Sequence, residues 1–428
     1  MFERMPTAFH IFSLQLLNAH EMTEARVAAG VAIFLASYVV FALGKFPGTK
    51  IDRPGAAIIG AVLMVAFRIV NGVEAIRAVD FATIVLLFAM MLIVGDLRLA
   101  GAFDAIAFFL ISRLGSRHLL PAVIFTTGVL SAFFVNDIIC LVMVPIVLTL
   151  TDRMRLDPLP YLLAVATASN IGSVATITGN PQNILIGSYS GISYRSFLAH
   201  LGPVAVAGLF LDWAILRSLF RDAHLEREET NENDSIVRKS HDQWIKPAVV
   251  VLGVLAGFLI GFLPPLVAAV GAALLLITRT MEPRHLYEEV DWGLLVFFVG
   301  LFIIVAGAEQ VGITRLLFDV ARHWNLQNPA VLTAVTAVFS NLVSNVPAVM
   351  LLKSLIPGFQ DPHRGWLILS MASTLAGNLT ITGSIANIIV VEQAKAKVQI
   401  SFRQYLRAGV PVTICTLLFG TMWLWLTG

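Results

Sequence analysis

Long apolar runs constrain this chain before any other feature does. "VAAGVAIFLASYVVFALG" at 27–44 and "FATIVLLFAMMLIVG" at 81–95 are two of many. Each approaches the ~20 residues that a helix needs to cross a bilayer core. Hydrophobic residues make up 57% of the 428 positions and charged residues only 13%, against about 25% charged in soluble domains. The ten-residue alternation of a membrane β-barrel is absent from the pattern. The expected class is an all-α polytopic membrane protein, with the lipid bilayer as solvent. A net charge of +2 implies no nucleic-acid partner. Two cysteines, Cys140 and Cys415, are too few for a disulfide framework or a thiolate metal site.

The second constraint is duplication. "VDFATIVLLFAMMLIVGDLRLAG" from Val79 answers to "VDWGLLVFFVGLFIIVAGAEQVG" from Val290. "SAFFVN" from Ser131 answers to "SNLVSN" from Ser340, and "ATITGNPQNI" from Ala175 to "LTITGSIANI" from Leu379. "ISYRSFLAHLGPV" from Ile192 answers to "ISFRQYLRAGVPV" from Ile400. The order is kept and the offset stays at 204–211 residues. The expected organisation is an N-terminal segment 1–26, a first repeat 27–216, a polar linker 217–246 and a second repeat 247–428. Segment 1–26 lacks a basic start and a small-residue cleavage site, so it is not read as a signal peptide.

Each repeat divides alike. Helices are expected at 27–44, 54–70 and 81–97, and again at 247–262, 265–279 and 292–308. Short amphipathic pieces follow at 101–116 and 312–323. Then come apolar stretches with a polar tip, 119–151 and 329–357, interrupted helices at 158–188 and 365–391, and last helices at 198–216 and 408–426. Treating the tipped stretches as re-entrant hairpins gives five crossings per repeat, which inverts the second repeat. It also places 20 Lys and Arg on one side and 8 on the other. That bias makes the linker cytoplasmic, sets both termini outside, and fits an inner (cytoplasmic) membrane location.

The interruptions need a reason. Irregular backbone at membrane depth persists only where it lines a cavity or is buried in protein. Broken helices at matching positions of inverted repeats mark the solute site of secondary transporters. The candidate residues therefore come from the tips and the breaks: Asn136, Asp137, Ser344 and Asn345 at the tips, and Asn170, Gly172, Thr176, Thr178, Gly179 and Asn180 around the first break. Asn378, Thr380, Thr382 and Gly383 belong to the second, with Asn183, Ser384 and Asn387 beside them. Asparagine both donates and accepts, which suits a hydroxylated solute. Its competing role is to fasten the tip to nearby backbone. An intramembrane carboxyl is a functional candidate by default, so Asp137 is the expected proton carrier; capping of the second hairpin arm is its competing role. Cys140 is expected to pack as a small apolar residue. Asp96 and Glu309 are expected to be solvated helix ends. Asp212, beside Trp213, is a second proton-path candidate for which a structural hydrogen bond is the favoured reading.

These residues resemble a family. The doubled hairpin-plus-broken-helix pattern, and "SNIGSVATITGNPQN" within it, is similar to the ion transporter superfamily: arsenite permeases, NhaD-type sodium/proton antiporters and divalent-anion/sodium symporters. The resemblance runs over nearly the whole chain. "FVNDIICLVMVPIVL" resembles the arsenite permease branch, where an Asn-Asp pair occupies the tip. The Ser-Asn-Thr tips of the sodium–dicarboxylate branch are missing: Val135-Asn136-Asp137 and Ser344-Asn345-Val346 stand there instead. The resemblance implies elevator-type export of arsenite or antimonite driven by H⁺, with the hairpins and broken helices moving against the remaining helices. Another anion, Na⁺ coupling or Na⁺/H⁺ exchange is the rival within the superfamily, and a passive channel is the rival outside it. A homodimer or a partner ATPase is left open by the resemblance. The chain carries no G-x-x-x-x-G-K-[ST] loop and no nucleophile–base motif, so no cofactor, metal or enzyme activity is expected.

Overall fold

A computed structural model describes residues 24–45, 48–103, 105–106, 116–221, 244–278, 283–313, 317 and 324–427. Among them every regular element is helical, apart from one isolated bridge between Lys45 and Asp52. Most of the 217–246 linker, of segment 1–26 and of the two amphipathic pieces falls outside the described residues.

The chain groups into two compact units, 1–79 with 296–319, and 80–295 with 320–428. In the first unit α1 (Glu24–Leu43) packs on α2 (Arg53–Ala66). Asp52 starts α2 by accepting from the Gly55 N–H at 2.9 Å, with Pro54 in the first turn. This pairing works because proline gives up an N–H that had no helical partner anyway. A short α3 (Gly72–Ala78) follows, closed by a capping box between Asn71 and Glu74. The backbone N–H of Asn71 and the Gln310 amide both hold the Glu74 carboxyl below its ordinary value.

The second unit contains the hairpins and breaks. It begins with α4 (Phe81–Leu99), capped by Asp80. The first hairpin is α5 (Ser116–Phe133) and α6 (Asn136–Arg153), packed side by side. The first interrupted helix is α7 (Leu159–Ser173) and α8 (Pro181–Ser190), and α9 (Tyr194–Leu219) closes the half. Next come α10 (Ile245–Ile260), α11 (Pro264–Thr278), the short α12 (Pro283–Glu288) and α13 (Trp292–Gln310), which runs past residue 295 into the first unit's span. The second hairpin is α14 (Pro329–Val343) and α15 (Asn345–Leu352). The second interrupted helix is α16 (Pro362–Ala376) and α17 (Ile385–Ala394), and α18 (Phe402–Thr427) is last. Among the described residues the expected membrane-depth helices are present, and α3 and α12 are additional turns before α4 and α13.

Five of these helices (α1, α4, α9, α13 and α18) are long and apolar enough to span a membrane. Their partners α10 and α11 are shorter. Val249, Leu252 and Ile260 of α10 stand exposed, as do Ile414, Leu418, Met422 and Trp425 of α18. Apolar side chains turned outward in this number fit a lipid-facing surface. By contrast, every residue of α7 from Pro160 to Ser173 is buried, and α16 is buried from Gly365 to Ala376. A helix buried on all sides needs no amphipathic stripe, and these two form the centre of the unit.

The last helix of each half packs on several neighbours: α9 on α5, α7, α10, α16 and α18, and α18 on α7, α9, α14 and α16. One sequence expectation changes. Asp96 is only 1% exposed, because the end of α4 is covered by α12, with Glu289 against Gly95 and ion-paired to Arg98 at 2.9 Å. Glu309, near the end of α13, is exposed as expected.

Gly172, one of the solute-binding candidates, is also packed tightly: a Cβ there would run into the backbone of Gly128 on α5. Gly172→Ala is therefore expected to destabilise the purified protein by ~1–3 kcal/mol through overpacking, read as a lowered detergent-solubilised Tm. A Tm equal to that of the parent protein would remove this contact from the fold's requirements.

Candidate functional site

Unwinding a helix frees carbonyls that must find partners inside the protein. At the first break Asn183 does this: its Nδ2 donates to the Ser173 and Thr176 carbonyls, both at 3.0 Å. At the second break Asn387 repeats the act on Gly377 (2.7 Å) and Thr380 (3.0 Å). The intervals along the chain are identical in the two halves. Asn180 caps α8 by accepting from the Asn183 N–H at 2.9 Å. Its counterpart Ser384 caps α17 in position without a side-chain bond to the helix, and spends its hydroxyl elsewhere.

That hydroxyl goes to Asn170, which is the hub. Asn170 Oδ1 accepts from Ser384 Oγ (3.0 Å) and from Asn136 Nδ2 (3.1 Å). Its Nδ2 donates to Asn378 Oδ1 (2.8 Å) and Asn387 Oδ1 (3.0 Å). One side chain thus joins a hairpin tip to the far end of α16 and the start of α17. Thr374 occupies the equivalent place on α16. Its hydroxyl accepts from Asn180 Nδ2 (3.0 Å) and Gln182 Nε2 (3.2 Å). Ser173 links the two halves of this lattice: it donates to the Asn170 carbonyl at 2.8 Å and accepts from Asn180 at 3.0 Å.

The hairpin tips dock on the breaks. The Asn136 N–H donates to the Gly179 carbonyl at 3.0 Å. At the other tip the Asn345 side chain reaches Gly383. In the amide orientation that satisfies both ends, its Nδ2 donates to Ser373 O (3.0 Å) and Gly383 O (3.3 Å), and its Oδ1 accepts from Gln182 (3.2 Å). Thr176 donates to the Ala132 carbonyl and Thr178 to that of Phe133, with the Tyr194 hydroxyl 3.0 Å from Thr178. Thr380 reaches Asn341 at 3.4 Å, and Asn341 in turn donates to the Ala376 carbonyl at 2.9 Å. Ser344 turns the second tip with φ 77°, a non-glycine conformation that costs on the order of 1–3 kcal/mol. Val135 at the first tip has φ −57°.

The structure brings Asn136, Asn170, Asn180, Asn345 and Asn378 into one buried lattice, with Thr176 and Thr178 fastening the first tip. Thr382 is exposed, touching only the Thr380 hydroxyl at 3.4 Å among the described bonds. Asp137 follows Asn136 in the first turn of α6 and is half-buried. Gln182, Thr374, Ser370 and Asn341 are additions. Thr374 was recoverable as the repeat partner of Asn170; Ser370, which donates to Asn183 Oδ1 at 2.6 Å, carries no comparable signal.

Chemically the lattice is amides and hydroxyls. None of its described hydrogen bonds involves Lys or Arg. Four helix amino ends (α6, α8, α15 and α17) start within it, and such ends offer N–H donors and partial positive charge. Asn136 Oδ1, buried, accepts no hydrogen bond among the described residues. No group of three or more His, Cys, Asp or Glu able to hold a metal occurs among them.

Asn170→Leu is expected to strand the four groups that Asn170 satisfies. Each lost buried partner costs ~1–3 kcal/mol, so the variant should accumulate poorly or melt far below the parent in detergent. A variant melting alongside the parent would show that Asn170 is not the hub.

Comparison with known proteins follows the same lines. A family profile described as citrate transporter (CitMHS) matches residues 38–376. A 46 kDa membrane protein of Mycobacterium leprae is 29% identical, with 92% of this chain and 97% of the relative covered. The silicon efflux transporter LSI3 of Oryza sativa subsp. japonica is 28% identical at the same coverage. A putative transporter arsB of Dictyostelium discoideum is 26% identical over 91% of this chain and 90% of its own length. Among solved structures, the YdaH transporter of Alcanivorax borkumensis superposes with a TM-score of 0.58 over 94% of this chain and 96% of its own, at 14% identity; the likeness is one of fold.

Proposed function

The chain belongs to the CitMHS citrate transporter family of the ion transporter superfamily, and from that premise we propose that it exports a small neutral hydroxylated solute, arsenite or antimonite, in exchange for protons. The observation that carries this reading is the composition of the lattice. Amides and hydroxyls surround the tips, and no cationic side chain joins their hydrogen bonds. Arsenous acid is a neutral trihydroxide near neutral pH. Its O–H groups need acceptors such as Asn136 Oδ1, and its oxygens need donors such as the second Nδ2 hydrogen of Asn136. Two relatives support the same chemistry by name, one for silicon efflux and one as arsB. The second reading is an anion carrier. The four helix amino ends favour it, because they attract negative charge without a cationic side chain.

In the proposed cycle the two halves are inverted repeats and the hairpins are re-entrant. Solute binds between the tips and the breaks of α7–α8 and α16–α17. Asp137 alternates between neutral and charged beside it, so that proton entry and solute exit are linked. The hairpins and interrupted helices move together, and α9 and α18 travel with them because they pack directly on that core. The motion is alternating access of the elevator kind. The membrane is the inner membrane, with linker 217–246 in the cytoplasm.

Proteoliposomes with an imposed pH gradient test the proposal. Arsenite is expected to accumulate against its gradient and to shift luminal pH, while citrate does not. Citrate flux without arsenite flux would transfer the site to the anion reading. Arsenite flux that no pH gradient can drive uphill would make the protein a passive channel. Asp137→Asn is expected to cut gradient-driven export by about tenfold or more, inside the ~5–150-fold range of ordinary site coupling, with the protein still folded. Undiminished gradient-driven export in that variant would remove Asp137 from the proton path.

A further inference from the structure

Asp212 stands outside the lattice. It lies within α9 and is 0% exposed. Its Oδ2 is 3.0 Å from Thr167 Oγ1 on α7, and its Oδ1 has no hydrogen-bond partner among the described residues. The helices packed on α9 bring few titratable groups toward it. From α18, Tyr405 lies within electrostatic range of both Asp212 and Cys140 of α6. Lys246 of α10, His118 of α5, Arg403 and Arg407 of α18, and His363 of α16 make no ion pair with it, and Arg364 of α16 pairs with Asp361.

The hydroxyl of Thr167 decides the protonation state. It has one hydrogen and more than one claimant besides Asp212: the Leu163 carbonyl lies 2.9 Å away, one turn back on α7, and the Ala164 carbonyl 3.5 Å away. If the hydrogen goes to Leu163, the contact with Asp212 is a hydrogen bond only when Asp212 itself donates, and Asp212 is then a carboxylic acid. If it goes to Asp212, a carboxylate sits in a dry interior with a single neutral donor, which desolvation disfavours strongly. Both arrangements favour the neutral acid while α7 and α9 stay packed. The same Thr167 also faces the lattice: its carbonyl accepts from Asn378 Nδ2 at 3.1 Å, and Asn378 Oδ1 accepts from Asn170 at 2.8 Å.

We propose that Asp212 is a second intramembrane protonation site, read by the amide lattice through Thr167 and Asn378. Its role in transport rests on the carrier reading above; its protonation state does not. While α7 and α9 are in contact the proton is held. When water reaches Oδ1 the proton leaves, the remaining carboxylate recruits the Thr167 hydrogen from Leu163, and the end of α7 beneath Asn170 shifts its bonding. Asp137 is adjacent to the solute, whereas Asp212 senses the packing of the helix that carries the hub.

Infrared difference spectroscopy of the full-length protein in lipid, titrated without solute, tests the site. A buried carboxylic-acid band is expected at neutral pH. It should vanish in Asp212→Asn and move to higher frequency in Thr167→Val, which keeps the shape and removes the hydroxyl. No band at neutral pH, or a band insensitive to both substitutions, overturns the site. A band lost in Asp212→Asn but unmoved in Thr167→Val overturns the Thr167 route. If Asp212→Asn fails to fold, the Thr167→Val shift decides alone. The experiment contains no arsenite, so a failure of arsenite flux leaves its outcome intact, and the reverse holds. In proteoliposomes the flux-against-pH profile of Asp212→Asn should lose one titration step; a superimposable profile removes Asp212 from coupling.

Discussion

A carbonyl released from a helix inside a membrane has no water to turn to, and the rest of this structure depends on that constraint. Each interrupted helix releases carbonyls, and each supplies one asparagine to recover two of them. Once Asn183 and Asn387 are committed in this way, their carboxamide oxygens become acceptors facing the centre. Ser370 and Asn170 occupy those acceptors. The lattice is thus a chain of obligations that starts with unpaired backbone and ends at the hairpin tips.

This ordering explains why the site is polar without being charged. Backbone carbonyls are satisfied best by neutral donors of fixed geometry. Amides serve this purpose without the desolvation cost of burying an ammonium or guanidinium group. A family whose profile is described for citrate can therefore include a chain whose centre is built of Asn, Ser, Thr and Gln. Carboxyl groups stand only at the edges of the lattice among the described residues, Asp137 at the tip and Asp212 behind α7.

Much of this was legible in the amino-acid sequence because lipid makes irregular backbone conspicuous. Apolar runs located the helices, the polar tips located the hairpins, and Gly-Asn-Pro within a hydrophobic segment located the break. The repeat then assigned the second break, where no proline helps. Other parts were not legible. Ser370 and Asn341 look like ordinary helix residues, and their partners lie 187 and 35–39 positions away. Gly172 sits in the motif, and the close approach of α5 to it is encoded by no local pattern. Asp96 was misplaced because a helix end in sequence is not an end in space once α12 folds over it. The packing of α9 and α18 on the hairpins and interrupted helices is likewise invisible to hydropathy.

The two clamping asparagines impose a chemical polarity on the chain. At Asn183 and Asn387 a nitrogen must point at two carbonyls, and an aspartate of nearly the same outline would present oxygen to oxygen. A deamidation event, or a one-letter substitution that looks conservative, would turn each clamp into a wedge at the point where the helix is already open. Ageing chemistry and mutational tolerance at these two positions are therefore governed by the difference between NH₂ and O⁻.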